Sequence, residues 1–248
     1  MTTVFFLVAT VAAGLLGAAQ PATGIPSEVI QLTQFGPSLA VAVLALFWPA
    51  RTWALLRSAV RGPGGGLVPG GALTITALLI IAIAVGAHLL VTGDVRFTAP
   101  GALGHPFPLI VVAQLIGACG EEIGWRCVLQ PLLGARFGVV TASALVGMLW
   151  GVWHVPVLAH GPLYAGAFLT ATVSMSVVLG LGLQRVTSHR LLLAGSFHAL
   201  INLGMLVFMN EESGAVLPMA LFGASSLAAA LVWMSLGGAG RPVTVDHP

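Results

Sequence analysis

The sequence predicts an all-α fold, a polytopic membrane helix bundle of about eight transmembrane helices. Three observations carry that expectation. Of 248 residues, 58% are hydrophobic and only 6% are charged, where a soluble domain carries roughly 25%. Mean hydropathy is +1.03. The apolar residues also gather into runs long enough to cross a bilayer, which takes about 20 residues of helix. Too few charges remain to clothe a water-facing surface, and the apolar content excludes a disordered chain. All nine basic residues are Arg, spread thinly along the chain, which makes a nucleic-acid-binding patch an unfavoured reading.

Read between Pro, Gly and charged residues, the apolar runs cover 3–19, 36–56, 71–91, 107–133, 139–159, 163–183, 191–209 and 214–235. The first lacks the basic segment that opens a secretory signal and is kept as a span. Cytoplasmic connections are the basic ones. With the N-terminus inside, the inner flank receives Arg51, Arg57, Arg61, Arg136, Arg185, Arg190 and Arg241, and the outer flank only Arg96. Removing a middle span spoils that division, so eight spans with both termini cytoplasmic are expected. The Lys-free, Ala- and Gly-rich composition suggests a bacterial plasma membrane. Residues 61–71 read as a flexible inner loop and the tail after 237 as frayed. No repeat or soluble second domain is evident. The chain divides into three N-terminal helices (1–105), a core of four (106–210), and a last helix with a short tail (211–248).

Ionisable residues inside a span are costly and must find a partner or a cavity. The candidates are Glu121, Glu122, Arg126, His154 and His198, with Asn202 beside the last. Successive helical residues point about 100° apart, so Glu121 and Glu122 diverge, while Glu122 and Arg126 at i and i+4 can touch. A buried ion pair explains Glu122 and Arg126. Glu121 is left without a partner, a situation suited to a general base. Trp150 lies one turn before His154 and can cover it. His198 and Asn202 share a face at i and i+4, where both can donate to one oxygen, as an oxyanion requires. A polar clamp between helices is the plainer alternative. Glu121, His154 and Asn202 lie within roughly 6 Å of one depth, with His198 about a turn lower. Cys119 and Cys127 are about 12 Å apart along one helix and read as packing residues. His88, His105, His160, His189 and His247 read as surface or interfacial.

Three motifs stand in order on separate spans: Glu121-Glu122-x-x-x-Arg126, Trp150-x-x-x-His154 and His198-x-x-x-Asn202. Together they resemble the CPBP family, the CAAX protease and bacteriocin-processing intramembrane peptidases. Trp150 stands where that family usually has Phe. The resemblance covers Glu121 to Asn202 and leaves out the first helices and the tail. It implies an intramembrane endopeptidase of the type II CAAX prenyl protease kind, acting on a peptide or membrane-protein substrate, prenylated or otherwise membrane-associated. Glu121 would activate water, His154 hold it, His198 and Asn202 stabilise the oxyanion, and Glu122, Arg126 and Trp150 shape the site. The family is often labelled metalloprotease. The favoured reading needs no cofactor, since a His-Glu-x-x-His zinc motif is absent. If zinc is bound, Glu121, His154 and His198 are the ligands to expect.

Two other functions use the same residues. A small proton- or ion-coupled transporter also needs intramembrane Glu and His, but transporters of that kind show repeats and paired broken helices. An inactive relative serving as an immunity or scaffolding protein would keep the fold without the chemistry.

Overall fold

The computed structural model describes residues 1–60, 66–186, 188–209 and 214–238. Arg61, Glu211, Glu212, Arg241 and His247 lie outside the described residues. The helices, in chain order, are α1 (Thr2–Thr23), α2 (Gly36–Phe47), α3 (Pro49–Val60), α4 (Leu67–Thr92), α5 (Phe107–Gly124), α6 (Gln130–Phe137), α7 (Val139–Trp153), α8 (Pro162–Leu183), α9 (Arg190–Phe208) and α10 (Val216–Gly238). A π-helical turn, Trp125–Leu129, joins α5 to α6. Short 3-10 turns, Leu32–Phe35 and Val155–His160, precede α2 and follow α7. Each expected run has a helical counterpart, and the protein is a polytopic helical bundle.

Six of these units are long and apolar enough to cross a membrane: Thr2–Thr23, Leu67–Thr92, Phe107–Phe137, Pro162–Leu183, Arg190–Phe208 and Val216–Leu236. The runs expected at 36–56 and 139–159 are shorter, and proline is the reason in both. Trp48 leaves helical geometry (φ −135°, ψ 60°) immediately before Pro49, as the residue preceding proline tends to do. The chain restarts as α3, with Thr52 and Ala59 buried and Arg51, Trp53 and Arg57 exposed. The later run ends at Trp153, because His154 turns out of the helix (φ −76°, ψ 61°) ahead of Pro156. The loop expected over 61–71 is shorter at its far end, since α4 already begins at Leu67.

Burial ranks the helices. The α8 span is 61% buried and the α1 and α4 spans 22%, so α8 is central while α1 and α4 present Leu7, Leu15, Ile75 and Leu79 outward. Phe5, Trp125 and Trp153 lock α1, the π turn and α7 together through edge-to-face contacts at 5.3 and 5.8 Å. The Trp153 indole also donates to the Ala9 carbonyl at 3.2 Å.

Small residues let α5 approach the α1–α2 connection. A Cβ on Gly124 would fall 2.6 Å from Pro37 Cβ, and one on Gly120 would fall 2.9 Å from the Phe35 ring. Ser38 Oγ donates to the Gly120 carbonyl at 2.6 Å. One wall of the bundle therefore rests on the absence of side chains beside the two glutamates. Gly124→Val is expected to destabilise the protein by about 1–3 kcal/mol through overpacking, measured by thermal unfolding in detergent. Gly134→Ala, with nothing within 4 Å of the new carbon, is expected to be neutral or to stabilise by up to about 1 kcal/mol.

Candidate active site

The two glutamates end α5 just before the π turn. There the Trp125 N–H is shared between the carbonyls of Glu121 and Glu122, and the Gln130 N–H reaches back to the Trp125 carbonyl. Inserted turns of this kind recur at functional sites because they re-aim side chains that a regular helix would place elsewhere. Glu122 and Arg126 are both fully buried, with Arg126 Nε 3.1 Å from Glu122 Oε2. That pairing rests on charge and proximity rather than on an aligned hydrogen bond, and neither Nη1 nor Nη2 of Arg126 has a hydrogen-bond partner among the described residues. The guanidinium instead lies over the Trp150 ring, 4.9 Å from its centroid, a cation–π contact. The other Glu122 oxygen, Oε1, accepts from His198 Nδ1 at 3.0 Å. One carboxylate thus ties α5 both to the π turn and to α9.

Glu121 points the other way and is 2% exposed. It is not unpartnered, as its position alone suggested, because Trp150 Nε1 donates to its Oε2 at 2.7 Å. Trp150 therefore does more than cover His154. Its indole orients Glu121, and its carbonyl accepts from His154 Nδ1 at 2.8 Å. A carbonyl only accepts, so that contact puts the hydrogen on Nδ1 and leaves His154 Nε2 as a lone pair when the ring is neutral. Trp153 and Phe168 hold the His154 ring edge-on at 4.9 and 5.0 Å. The His198 ring stands edge-on to Trp150 at 5.0 Å.

Glu121, Trp150, His154, His198 and Asn202 all line one cavity of about 810 Å³, within the size range of small-molecule and peptide sites. Glu122 and Arg126 stand behind this wall. Asn202 does not face His198 alone: its Nδ2 donates to Gln114 Oε1 at 3.1 Å. Gln114 Nε2 reaches the Val29 carbonyl at 3.5 Å, linking the site to the α1–α2 connection. Gln114 and Phe168 are not among the residues the sequence singled out. Gln114 carried a usable signal, since it sits seven residues, about two turns, before Glu121 on the same helical face. Phe168 is one aromatic among many and carried none. His160 is exposed, as expected of a surface or interfacial residue, and it also joins the cavity wall, 4.9 Å from the Tyr164 ring.

A zinc site needs donor atoms that meet at one point. Among the described residues, no three His, Cys, Asp or Glu side chains come together in that way. The Nδ1 atoms of both histidines are engaged, by Trp150 and by Glu122, which leaves Nε2 as the ring nitrogen that either histidine could offer to a ligand.

Removing one partner of a buried ion pair strands the other. Arg126→Met is expected to cost about 3–5 kcal/mol of stability, read as a lowered thermal unfolding midpoint. Replacing Glu122 and Arg126 together with Leu and Met is expected to recover part of that loss.

Residues 103–204 match the family described as Rce1-like, type II CAAX prenyl endopeptidase Rce1-like. The chain is also similar to lysostaphin resistance protein A of Staphylococcus haemolyticus (strain JCSC1435), 21% identical over 242 residues that make up 94% of this chain and 64% of the relative. The protein of that name from Staphylococcus aureus (strain Newman) is 21% identical over 242 residues, 94% of this chain and 55% of the relative. The chain thus spans less than two thirds of the length of these curated relatives. With its apolar helices, it is an integral membrane protein. The matched segment, residues 103–204, contains all three motifs, and over that segment the chain is similar to the Rce1-like family of type II CAAX prenyl endopeptidases.

Proposed function

We propose that the protein is an intramembrane endopeptidase in which Glu121 activates water for attack on a peptide carbonyl. The observation that carries this reading is the convergence of Glu121, His154, His198 and Asn202 on one cavity, with the Glu121 carboxylate already oriented by Trp150. Glu121 Oε1 accepts no hydrogen bond among the described residues and is the oxygen available to take a proton. His154 Nε2 accepts from the same water and aims its oxygen at the carbonyl carbon. As the water oxygen bonds to that carbon, its proton passes to Glu121 and the carbonyl electron pair moves onto oxygen. The second Nδ2 hydrogen of Asn202 and the Nε2–H of a protonated His198 then donate to the oxyanion. Glu122, at the Nδ1 side of His198, offsets the positive charge of that ring. Collapse of the intermediate breaks the C–N bond, and Glu121 returns its proton to the leaving amine.

Every step uses groups of this chain. The substrate is a peptide segment that can enter a membrane-embedded cavity. The apolar part of the wall, with Phe168, Met175 and Ile201, suits a hydrophobic side chain or lipid-like group beside the scissile bond.

The test compares protein termini in membranes from cells carrying wild type or Glu121→Gln at matched expression. Termini present only with the wild type are expected, with processing lowered by about 100- to 10,000-fold in the variant and the unfolding temperature little changed. Identical termini in both would overturn the peptidase reading and favour transport or an inactive relative. Asn202→Ala is expected to lower processing about 100- to 1,000-fold, measured in the same comparison.

A further inference from the structure

We infer that the cavity opens on the extracytoplasmic side of the membrane, so that its substrate is a peptide segment presented from outside the cell. The substrate half of this statement rests on the peptidase reading; the orientation half does not.

Two ends of the bundle can be told apart without reference to the cavity. At one end lie the connections 24–35, 93–106 and 154–161, together with the C-terminal end of α9. They are joined there by the Thr98 N–H donating to the Val207 carbonyl at 2.8 Å and by Arg96 Nη1 reaching the Met209 carbonyl at 3.4 Å. Gly214, just before α10, sits against the His160 ring. At the other end lie α3, the α6–α7 junction and the start of α9. Gly66, before α4, approaches Leu193 and the Ser188 carbonyl there, at 3.4 and 3.8 Å from the position a Cβ would take.

Charge divides sharply between these ends. Arg51, Arg57, Arg136 and Arg185 are exposed at the α3 end, with no Asp or Glu there among the described residues. The opposite end carries Glu28, Asp94 and one arginine, Arg96. Arginine-rich connections stay on the cytoplasmic side during insertion. The amphipathic α3, with exposed Trp53 and Arg57 on one side and buried Thr52 and Ala59 on the other, fits a helix lying in the cytoplasmic interface.

The cavity belongs to the other end. Its wall includes Ser27, Glu28, Gln31, Thr98 and His160, all from the connections opposite the arginines, and from there it descends to Glu121 and His198. Among the described residues, none of α3, α6 or the 184–189 connection lines it. A peptide reaching Glu121 through this mouth arrives from outside, as an exported chain or the outer end of a membrane segment does. A chain terminus held in the cytosol faces the closed, arginine-bearing end.

Single cysteines test both halves. Ser27→Cys marks the mouth and Ala135→Cys the exposed surface of α6, with the wild type, whose Cys127 is buried and Cys119 half-buried, as the blank. A membrane-impermeant maleimide on intact cells is expected to label Ser27→Cys several-fold above the blank. Ala135→Cys is expected to label only after permeabilisation. The reverse pattern, labelling of both in intact cells, or no labelling of Ser27→Cys from outside would overturn the orientation. A bulky maleimide placed on Ser27→Cys from outside is then expected to abolish the termini that depend on Glu121. Unchanged termini would show that the substrate does not use this mouth. If the unlabelled wild type yields no such termini, the peptidase reading fails while the labelling still decides the orientation.

Discussion

A carboxylate with no contact to water, Glu122, is the constraint around which the site is arranged. Burying one charge in a membrane helix is unfavourable unless it is paired, and Glu122 is paired twice, with Arg126 through Oε2 and with His198 through Oε1. Each partner brings an element with it. Arg126 lies on the π turn and presses its guanidinium onto Trp150 of α7. His198 lies on α9, and with Nδ1 held by Glu122 its side chain joins the cavity wall. The positions of three helices around the cavity thus follow from satisfying a single buried charge.

Trp150 is the second joint. Its indole N–H holds Glu121, its carbonyl holds His154, and its ring covers Arg126. The two neighbouring glutamates therefore reach different ends: Glu122 is fixed within the protein, while Glu121 is fixed by one oxygen and faces the cavity with the other. Divergence of adjacent helical residues by about 100° makes this division of roles possible. Gly120 and Gly124 let α5 lie close to Phe35 and Pro37, where Ser38 donates to the Gly120 carbonyl and the Gln114 amide reaches the Val29 carbonyl.

Much of this was legible in the sequence, because a membrane exposes its rules there. Apolar runs marked the helices, and the ionisable residues within them turn out to line one cavity or to pair behind its wall, since such residues are costly without a partner or a cavity. The i and i+4 spacing of Glu122 and Arg126 anticipated their contact. Pro49 and Pro156 also announced where α2 and α7 stop, although the surrounding apolar residues masked both signals in a count of spans. What stayed hidden was contact between elements distant in sequence. Nothing in residues 107–124 says that Trp150 reaches Glu121, that His198 binds Glu122 rather than working beside Asn202 alone, or that Gln114 takes the Asn202 amide. The placement of His160 likewise depends on a turn whose direction is set by packing against Tyr164 and Gly214.

The contact between Glu122 and His198 is where the arrangement is most exposed to test. Histidine-selective nitrogen NMR of the protein in lipid nanodiscs reads which ring nitrogen carries hydrogen. For the wild type, a His198 protonated at Nδ1 is expected, with a resonance that shifts when Glu122 is replaced by Gln while the His154 signal changes little. A His198 protonated at Nε2 alone, or a His198 signal indifferent to Glu122→Gln, would contradict the central role of the buried carboxylate.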